Sequence, residues 1–290
     1  MSGKAILVGC EKMPEGDGDE HDVLPALADL GFTPSWATWG DPAVDFDDAE
    51  IVILRATWDY AERRDDFLDW CASVPALVNS APVVRWNTDK SYLVELIESG
   101  IATVPTVLVE PGEAPRWPKG DFVVKPAVGA GSRGAARFAA SAHDSASKHL
   151  KSLHDDGYTA LVQPYQSKVD TDGETALVFF GGVYSHAFTK GAMLSGQTMD
   201  DSGLYVAEQL DVAAPDAGFR ALAEDALDAA ASLLGILRAE LLYARIDLVR
   251  ADNGKPALLE LELAEPSLGF RYADAGAPLR FASAVRQQLG

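Results

Sequence analysis

The sequence predicts two domains, an α/β domain over residues 1–82 and an α+β domain over residues 83–290. Apolar runs at 4–10, 33–39 and 51–55 alternate with helical patterns, which implies a parallel sheet covered on both faces. After Gly100 the pattern changes to short strands punctuated by Gly and Pro. A chain of 290 residues is also long enough for about two cores.

In the first domain, the strand at 4–10 leads through a polar, glycine-rich loop to a helix around 20–30. TPSWATW and IVILR read as two further strands, and RRDDFLDWCASV reads as a helix. This is the pattern of a small Rossmann-like domain. Ligands in such sheets sit beyond the carboxyl ends of the strands, where RATWDY (55–60) falls. Ala81-Pro82 reads as a turn into a helix that starts at Asn87 or Thr88. In the second domain VPTVLVE, DFVVKP, AARF, ALVQPY, TALVFFGG and VYSHAFTK read as strands of mostly antiparallel sheets. A long Ala- and Leu-rich helix covers about 216–237, and a last helix lies near 278–289.

Hydrophobic residues make up 48% of the chain and the mean hydropathy is −0.01, as in an ordinary globular protein. A formal charge of −20 argues against a nucleic-acid partner, because binding a phosphate backbone leaves a basic footprint. Nucleotides stay open, since they need only a few local cations. Cys10 and Cys71 form no CxxC pattern and suit small core residues in a reducing cytosol. KAILVGC is too short for a signal-peptide core, and no apolar run approaches a membrane span. The expectation is a cytoplasmic protein with no nucleic-acid or membrane partner, and a homodimer is compatible with it.

Between the long helix and the last one, ARIDLVRADNGKPALLELELAEP reads as a β-hairpin. Asn253-Gly254 signals a type I′ turn, with both central residues at positive φ. That turn pairs Asp252 with Lys255, and hence Asp247 with Glu260 and Arg245 with Glu262. These four side chains share one face, while Ile246, Leu248, Leu259, Leu261 and Leu263 point the other way. Like charges opposite each other destabilise a strand pair, so a compensating divalent cation with carboxylate ligands is expected. A solvated sheet face balanced by Arg245 is the plainer alternative.

DFVVKPAVGAGSRGAARF places Lys125 at the end of an apolar strand, followed by a loop with Gly129, Gly131, Ser132 and Gly134. Glycines let backbone N–H groups approach a polyanion closely. A Walker loop would put its Lys after the glycines and before a helix, and a dinucleotide fingerprint would also need a following helix. Here the loop joins two strands, which suits a flap over phosphates.

Lys90 near a helix start, Lys125 before the glycine-rich hairpin, the ALVQPY strand, Gly173-Glu174, Arg245-x-Asp247 and Glu260-x-Glu262 together resemble the ATP-grasp ligase superfamily. The resemblance covers roughly 85–270, with residues 1–82 as its usual preceding domain, the glycine-rich lid within 83–165 and the metal-binding hairpin within 166–290. It implies that Lys90 and Lys125 contact nucleotide phosphates under the loop of residues 129–134, with Gly129, Gly131 and Ser132 at the nucleotide. Gln163 and the backbone near Tyr165 and Gln166 would hold the adenine edge, and Glu174 the ribose, with Asp170 and Asp172 as competitors. Asp247, Glu260 and Glu262 would bind Mg²⁺ (or Mn²⁺), and Arg245 would face the transferring phosphate. Many family members carry Asn where this chain has Glu262.

RATWDY, RWNTDK and LELELAEPSLGF are further similar to the O-ureidoserine cyclo-ligases, which activate a carboxylate for attack by a nitrogen of the same molecule. On that resemblance Arg55 would take a substrate carboxylate, Asp59 an ammonium, and Tyr60 a place in the pocket, with Arg85 and Arg271 as weaker candidates. His186, with no second histidine nearby, reads as structural, and Lys190 on the same strand face as a phosphate or substrate contact. The implied activity is ATP-dependent ligation of a small amino-acid-like carboxylate. A ligase joining two separate molecules and a nucleotide-responsive module are the alternatives.

Overall fold

A parallel sheet opens the chain: β1 (Gly3–Gly9), β2 (Phe32–Thr38), β3 (Ile51–Ala56) and β4 (Leu77–Val78), in the order β2-β1-β3-β4. The structure, a computed structural model, describes residues 3–192, 200, 202–205 and 209–290. Every residue of β3 is buried, as expected for a strand covered on both faces. Helix α1 (Val23–Asp29) packs on one face, and α2 (Arg64–Ser73) on the other beside the buried Cys10 and Cys71.

Helices α3 (Ala81–Asn87) and α4 (Tyr92–Glu98) follow. Ala81-Pro82 is therefore not a turn before a helix but the first turn of α3, where a missing N–H costs nothing. Asn87 ends that helix instead of starting the next.

A small antiparallel sheet contains β5 (Val107–Val109), β6 (Phe122–Pro126), β7 (Ala136–Phe138) and β8 (Ala160–Pro164), ordered β5-β8-β6-β7. Helix α5 (His143–Asp155) packs on it through Ala146, Leu150 and Leu153. The reading of this region as short strands missed α5, whose narrow apolar stripe lies in a polar segment. After the single turn α6 (Val169–Asp172) comes the central antiparallel sheet. It is built from β9 (Glu174–Phe180), β10 (Val183–Lys190), β11 (Leu210–Val212), β12 (Tyr243–Arg250) and β13 (Pro256–Glu262), ordered β11-β10-β9-β12-β13. Helix α7 (Ala217–Leu234) covers one face, and the last helix α8 (Ala277–Gln287) packs between the other face and α1. The parallel and central sheets thus share a core through Leu7, Ile53, Phe180, Tyr243 and Phe281.

The β12–β13 hairpin corrects two expectations. Its turn has three residues, Asp252 to Gly254, closed by Ala251 N–H to Lys255 O at 2.8 Å. Only Gly254 has a positive φ, +82°, and Asn253 does not. This shifts the register by one, and a bulge at Leu259 shifts it back. Asp247 therefore still pairs with Glu260, and Arg245 with Glu262. The bulge also turns Leu259 to the cavity side, beside Val249, whereas Leu258 joins the α7 face.

Two buried asparagines lock the hairpin to the N-terminal half. Asn79 donates to Tyr243 O (2.9 Å) and Leu263 O (2.7 Å) and accepts from Leu242 N–H (2.7 Å). Asn87 donates to Leu261 O (2.8 Å) and accepts from Leu263 N–H (2.6 Å) and Ala264 N–H (3.1 Å). Removing either amide strands buried backbone groups, at about 1–3 kcal/mol each. Asn79→Ala is expected to lower the unfolding free energy by roughly 3 kcal/mol in urea titrations; a loss below about 1 kcal/mol would refute this accounting.

Candidate active site

A cavity of about 400 Å³ opens between the two antiparallel sheets and the carboxyl end of β3. One end is apolar, with Val104, Val123, Val249 and Leu259 beside Tyr165. Gln163 is buried there and donates to Thr106 Oγ1 at 2.9 Å. The Tyr165 N–H is spent on Asp121 O (2.8 Å), and the Gln166 side chain accepts from Asp252 N–H (3.2 Å).

The other end is charged. Lys90 reaches Glu260 at 2.9 Å and donates to Gly129 O at 2.7 Å. Lys190 lies 2.6 Å from Asp247 and 3.0 Å from Glu174. Arg245 donates to both oxygens of Asp247, each at 2.9 Å, and also pairs with Glu262. The Lys125 ammonium makes no hydrogen bond among the described residues, and burial lowers its pKa.

Burial raises the carboxyl pKa values here, and cations decide the outcome at each. Lys90 and Lys125 outweigh burial at Glu260 and hold it down at about 2. Arg245 and Lys190 likewise outweigh it at Asp247. Glu262 is left at about 7, with burial dominant over Arg245 and the neighbouring acids adding to the rise.

Glu174 lines the cavity, whereas Asp170 and Asp172 are exposed. Asp170 instead accepts from the Tyr165 hydroxyl, 2.5 Å away, and from Arg137. The hairpin acids do not form the expected three-carboxylate cluster. Glu260 and Glu262 line the cavity, but Asp247 is fully buried behind them with both oxygens on Arg245 and Lys190. Among the described residues no group of three His, Cys, Asp or Glu side chains is placed to hold a metal ion.

The β6–β7 loop lies over this end. Gly129, Gly131 and Ser132 line the cavity, and Arg133 pins the loop to Glu62 (2.6 Å) and Trp58 O (2.8 Å). Gly131 has φ +61°, and a Cβ there would sit 2.4 Å from Leu204 O. Both facts require glycine.

Known proteins are similar to this chain in sequence and fold. The N-terminal domain of the D-cycloserine synthetase DcsG family matches residues 5–80. Over 288 residues the chain is 40% identical to the cycloserine biosynthesis protein DcsG of Streptomyces lavendulae, spanning 94% of each. The chain belongs to the DcsG family. The crystal structure of D-cycloserine synthetase DcsG matches it with a TM-score of 0.89 at 37% identity, over 99% of this chain and 100% of that one. A D-alanine–D-alanine ligase from Bacillus anthracis in complex with ATP matches at TM-score 0.65 and 14% identity, over 99% and 97% of the two chains. The ATP-grasp ligase PsnB matches at TM-score 0.62 and 16% identity over the whole of both. These two likenesses are of fold: the DcsG family has the architecture of the ATP-grasp ligases. It is a ligase family, and no helix among the described residues is long and apolar enough to cross a membrane.

In this member of the DcsG family, the substrate residues expected from RATWDY are only partly in the cavity. Tyr60 lines it. Arg55 does not: it is fully buried and spent on Glu20 (2.8 Å) and Pro266 O (2.7 Å). Asp59 accepts from Trp39 Nε1 at 2.7 Å, away from the cavity. Both lie on a short 3₁₀ turn or strand end whose backbone direction a motif alone does not give. Arg271 lines the cavity mouth and Arg85 is exposed elsewhere. His186 is buried, with Nε2 2.7 Å from Leu268 O.

Glu265 went unnoticed in the sequence. It lines the cavity, and burial first, then Glu262, push its pKa up to about 8. A carboxyl raised in this way binds its proton more tightly folded than unfolded. Its contribution to stability is therefore full at acid pH and is lost as pH rises toward 8. Glu265→Gln is expected to flatten the fall of the denaturation midpoint between pH 5 and 9 (about the titration range of such a group). An unchanged slope would place the raised affinity elsewhere.

Proposed function

We propose that the chain is an ATP- and Mg²⁺-dependent ligase that activates the carboxylate of a small amino-acid-like substrate as an acylphosphate. A nitrogen of the same molecule then displaces phosphate and closes a ring. The observation that carries this is the cation set of Lys90, Lys125, Lys190 and Arg245, gathered at one end of a buried cavity in a DcsG-family chain. Phosphoryl transfer asks little covalent work of a protein and much electrostatic positioning. Lys125, whose ammonium makes no hydrogen bond or ion pair among the described residues, and Lys90 under the glycine loop are suited to phosphate oxygens. The apolar end beside Gln163 suits a purine, and Glu174 a ribose hydroxyl.

Mg²⁺ is usually held by one or two carboxylates together with substrate phosphates, not by an all-protein cage. Glu260 and Glu262 on the cavity wall fit that donor set. The metal would supply charge neutralisation at the phosphates. Asp247 acts behind them by fixing Arg245 and Lys190. The loop held by Arg133 and Lys90 excludes water, which would otherwise hydrolyse an activated carboxylate. We read residues 1–82 as the Rossmann-like unit that closes the substrate end, with Tyr60 in its wall.

ADP release with O-ureidoserine tests the reading. Glu260→Gln should lower turnover by about 100-fold or more while leaving the circular dichroism spectrum unchanged. Undiminished turnover would remove Glu260 from the site. Hydroxylamine should trap a hydroxamate, and ADP should form without any added amine. A strict need for a second, separate amine would convert the assignment to an intermolecular ligase.

A further inference from the structure

The segment that follows β13 is held in an unusual way. Six consecutive carbonyls each lie within hydrogen-bond reach of a side chain from elsewhere in the chain. Leu263 O accepts from Asn79 (2.7 Å), Ala264 O from the Tyr243 hydroxyl (2.7 Å) and Glu265 O from Trp58 Nε1 (2.9 Å). Pro266 O accepts from Arg55 (2.7 Å), Ser267 O from Arg245 (3.0 Å), and Leu268 O lies 2.7 Å from His186 Nε2. Backbone pinned this thoroughly presents its side chains in fixed directions, the usual support for a precise contact.

Glu265 is the one ionisable side chain this segment carries. It is 8% exposed and lines the cavity. Its carboxyl makes no hydrogen bond or ion pair among the described residues. It is also not sealed in protein: the enclosed, unbonded side-chain atoms belong to Asp19, Glu20, Thr57, Arg133 and Arg220. What the Glu265 oxygens expose therefore opens into the cavity. The surrounding charges leave one acid in excess: Glu174, Asp247, Glu260, Glu262 and Glu265 stand against Lys90, Lys125, Lys190 and Arg245. Lys90 and Lys125 answer Glu260, Lys190 answers Glu174 and Asp247, and Arg245 answers Asp247 and Glu262. A carboxylate buried without a cation is costly, and such groups are normally paired.

We infer that Glu265 receives the primary ammonium group of an amino-acid-type substrate and thereby sets specificity for α-amino over amine-free acids. This rests on the proposed activation of a substrate carboxylate at Glu260 and Glu262. An α-ammonium is one carbon away from that carboxylate, so its receptor must adjoin the metal end of the cavity. Glu265 meets this requirement: it follows Glu262 by three residues, and Glu262 is the charged neighbour that acts on it most strongly. The Tyr60 and Trp58 rings beside it supply an apolar wall that excludes competing water. A buried hydrogen-bonding group discriminates strongly against a ligand lacking its partner, because it is then left unsatisfied.

The test compares O-ureidoserine with ureidooxypropanoate, which lacks the amino group, in the presence of Mg²⁺ and ADP. Calorimetry reads binding, and ADP release reads turnover in parallel. The native protein should bind the amine-bearing acid about 100-fold more tightly than the amine-free one. Glu265→Gln should erase most of that difference, leaving Mg²⁺·ADP affinity unchanged. Glu265→Asp, which keeps the charge, should retain part of it. Equal binding of the two acids by the native protein, or unchanged discrimination by Glu265→Gln, overturns the inference. A Glu265→Gln effect on Mg²⁺ dependence in place of discrimination also overturns it, by making Glu265 a metal ligand. Discrimination without ADP release would leave this inference standing and defeat the ligase reading instead.

Discussion

Asp247 is buried completely, and around it the site is arranged. Its two oxygens take the Arg245 fork at 2.9 Å each, and one of them also takes Lys190 at 2.6 Å. A charge so placed tolerates neither loss of its partners nor their displacement, because either leaves an uncompensated ion in a poorly polarisable interior. The cations are consequently fixed by a residue that does not line the cavity. From Asp247 the alternation continues, through Lys190 to Glu174 on one side and through Arg245 to Glu262 on the other. The charges hold one another in place within the protein, and groups fixed in this way stabilise developing charge best.

That ladder spans β9, β10, β12 and β13, so sheet register is also site geometry. The N-terminal half contributes by clamping. Asn79 and Asn87 satisfy backbone groups at the ends of the hairpin strands, and Arg55 and Trp58 hold the segment after them. The parallel sheet therefore carries few of the ligand-facing groups and most of the restraints on where they point.

Much of this was legible in the sequence, and the exceptions share a cause. The alternating apolar runs of the first 80 residues, the strands from VPTVLVE to VYSHAFTK, and the hairpin acids all lie where periodicity places them. Lys90, Lys125, Lys190, Glu174, Glu260 and Glu262 do come together in one cavity. Periodicity could not show that Arg55 turns inward to Glu20, because a strand-end arginine has the same local pattern whether it faces a ligand or an acid over thirty residues away. Nor could it show Glu265, which lies beyond the last strand, where no repeat fixes direction. Helix α5 was missed because three apolar positions in a polar segment give a weak signal beside strong strand propensities nearby.

The hairpin register shows how a correct pairing can rest on an incorrect turn. A three-residue loop alone would have set Asp247 against Leu259 and removed the acid pair. The bulge restores it and in doing so adds Leu259, near the turn, to the face of β13 that carries Glu260 and Glu262 beyond it. One strand pair can then supply apolar contacts at one end of the cavity and carboxylates at the other. A regular hairpin of alternating residues would have carried Leu259 to the α7 face with Leu261, thinning the apolar wall beside Val249. The bulge is thus what lets a single hairpin present an apolar surface and a carboxylate surface within one cavity.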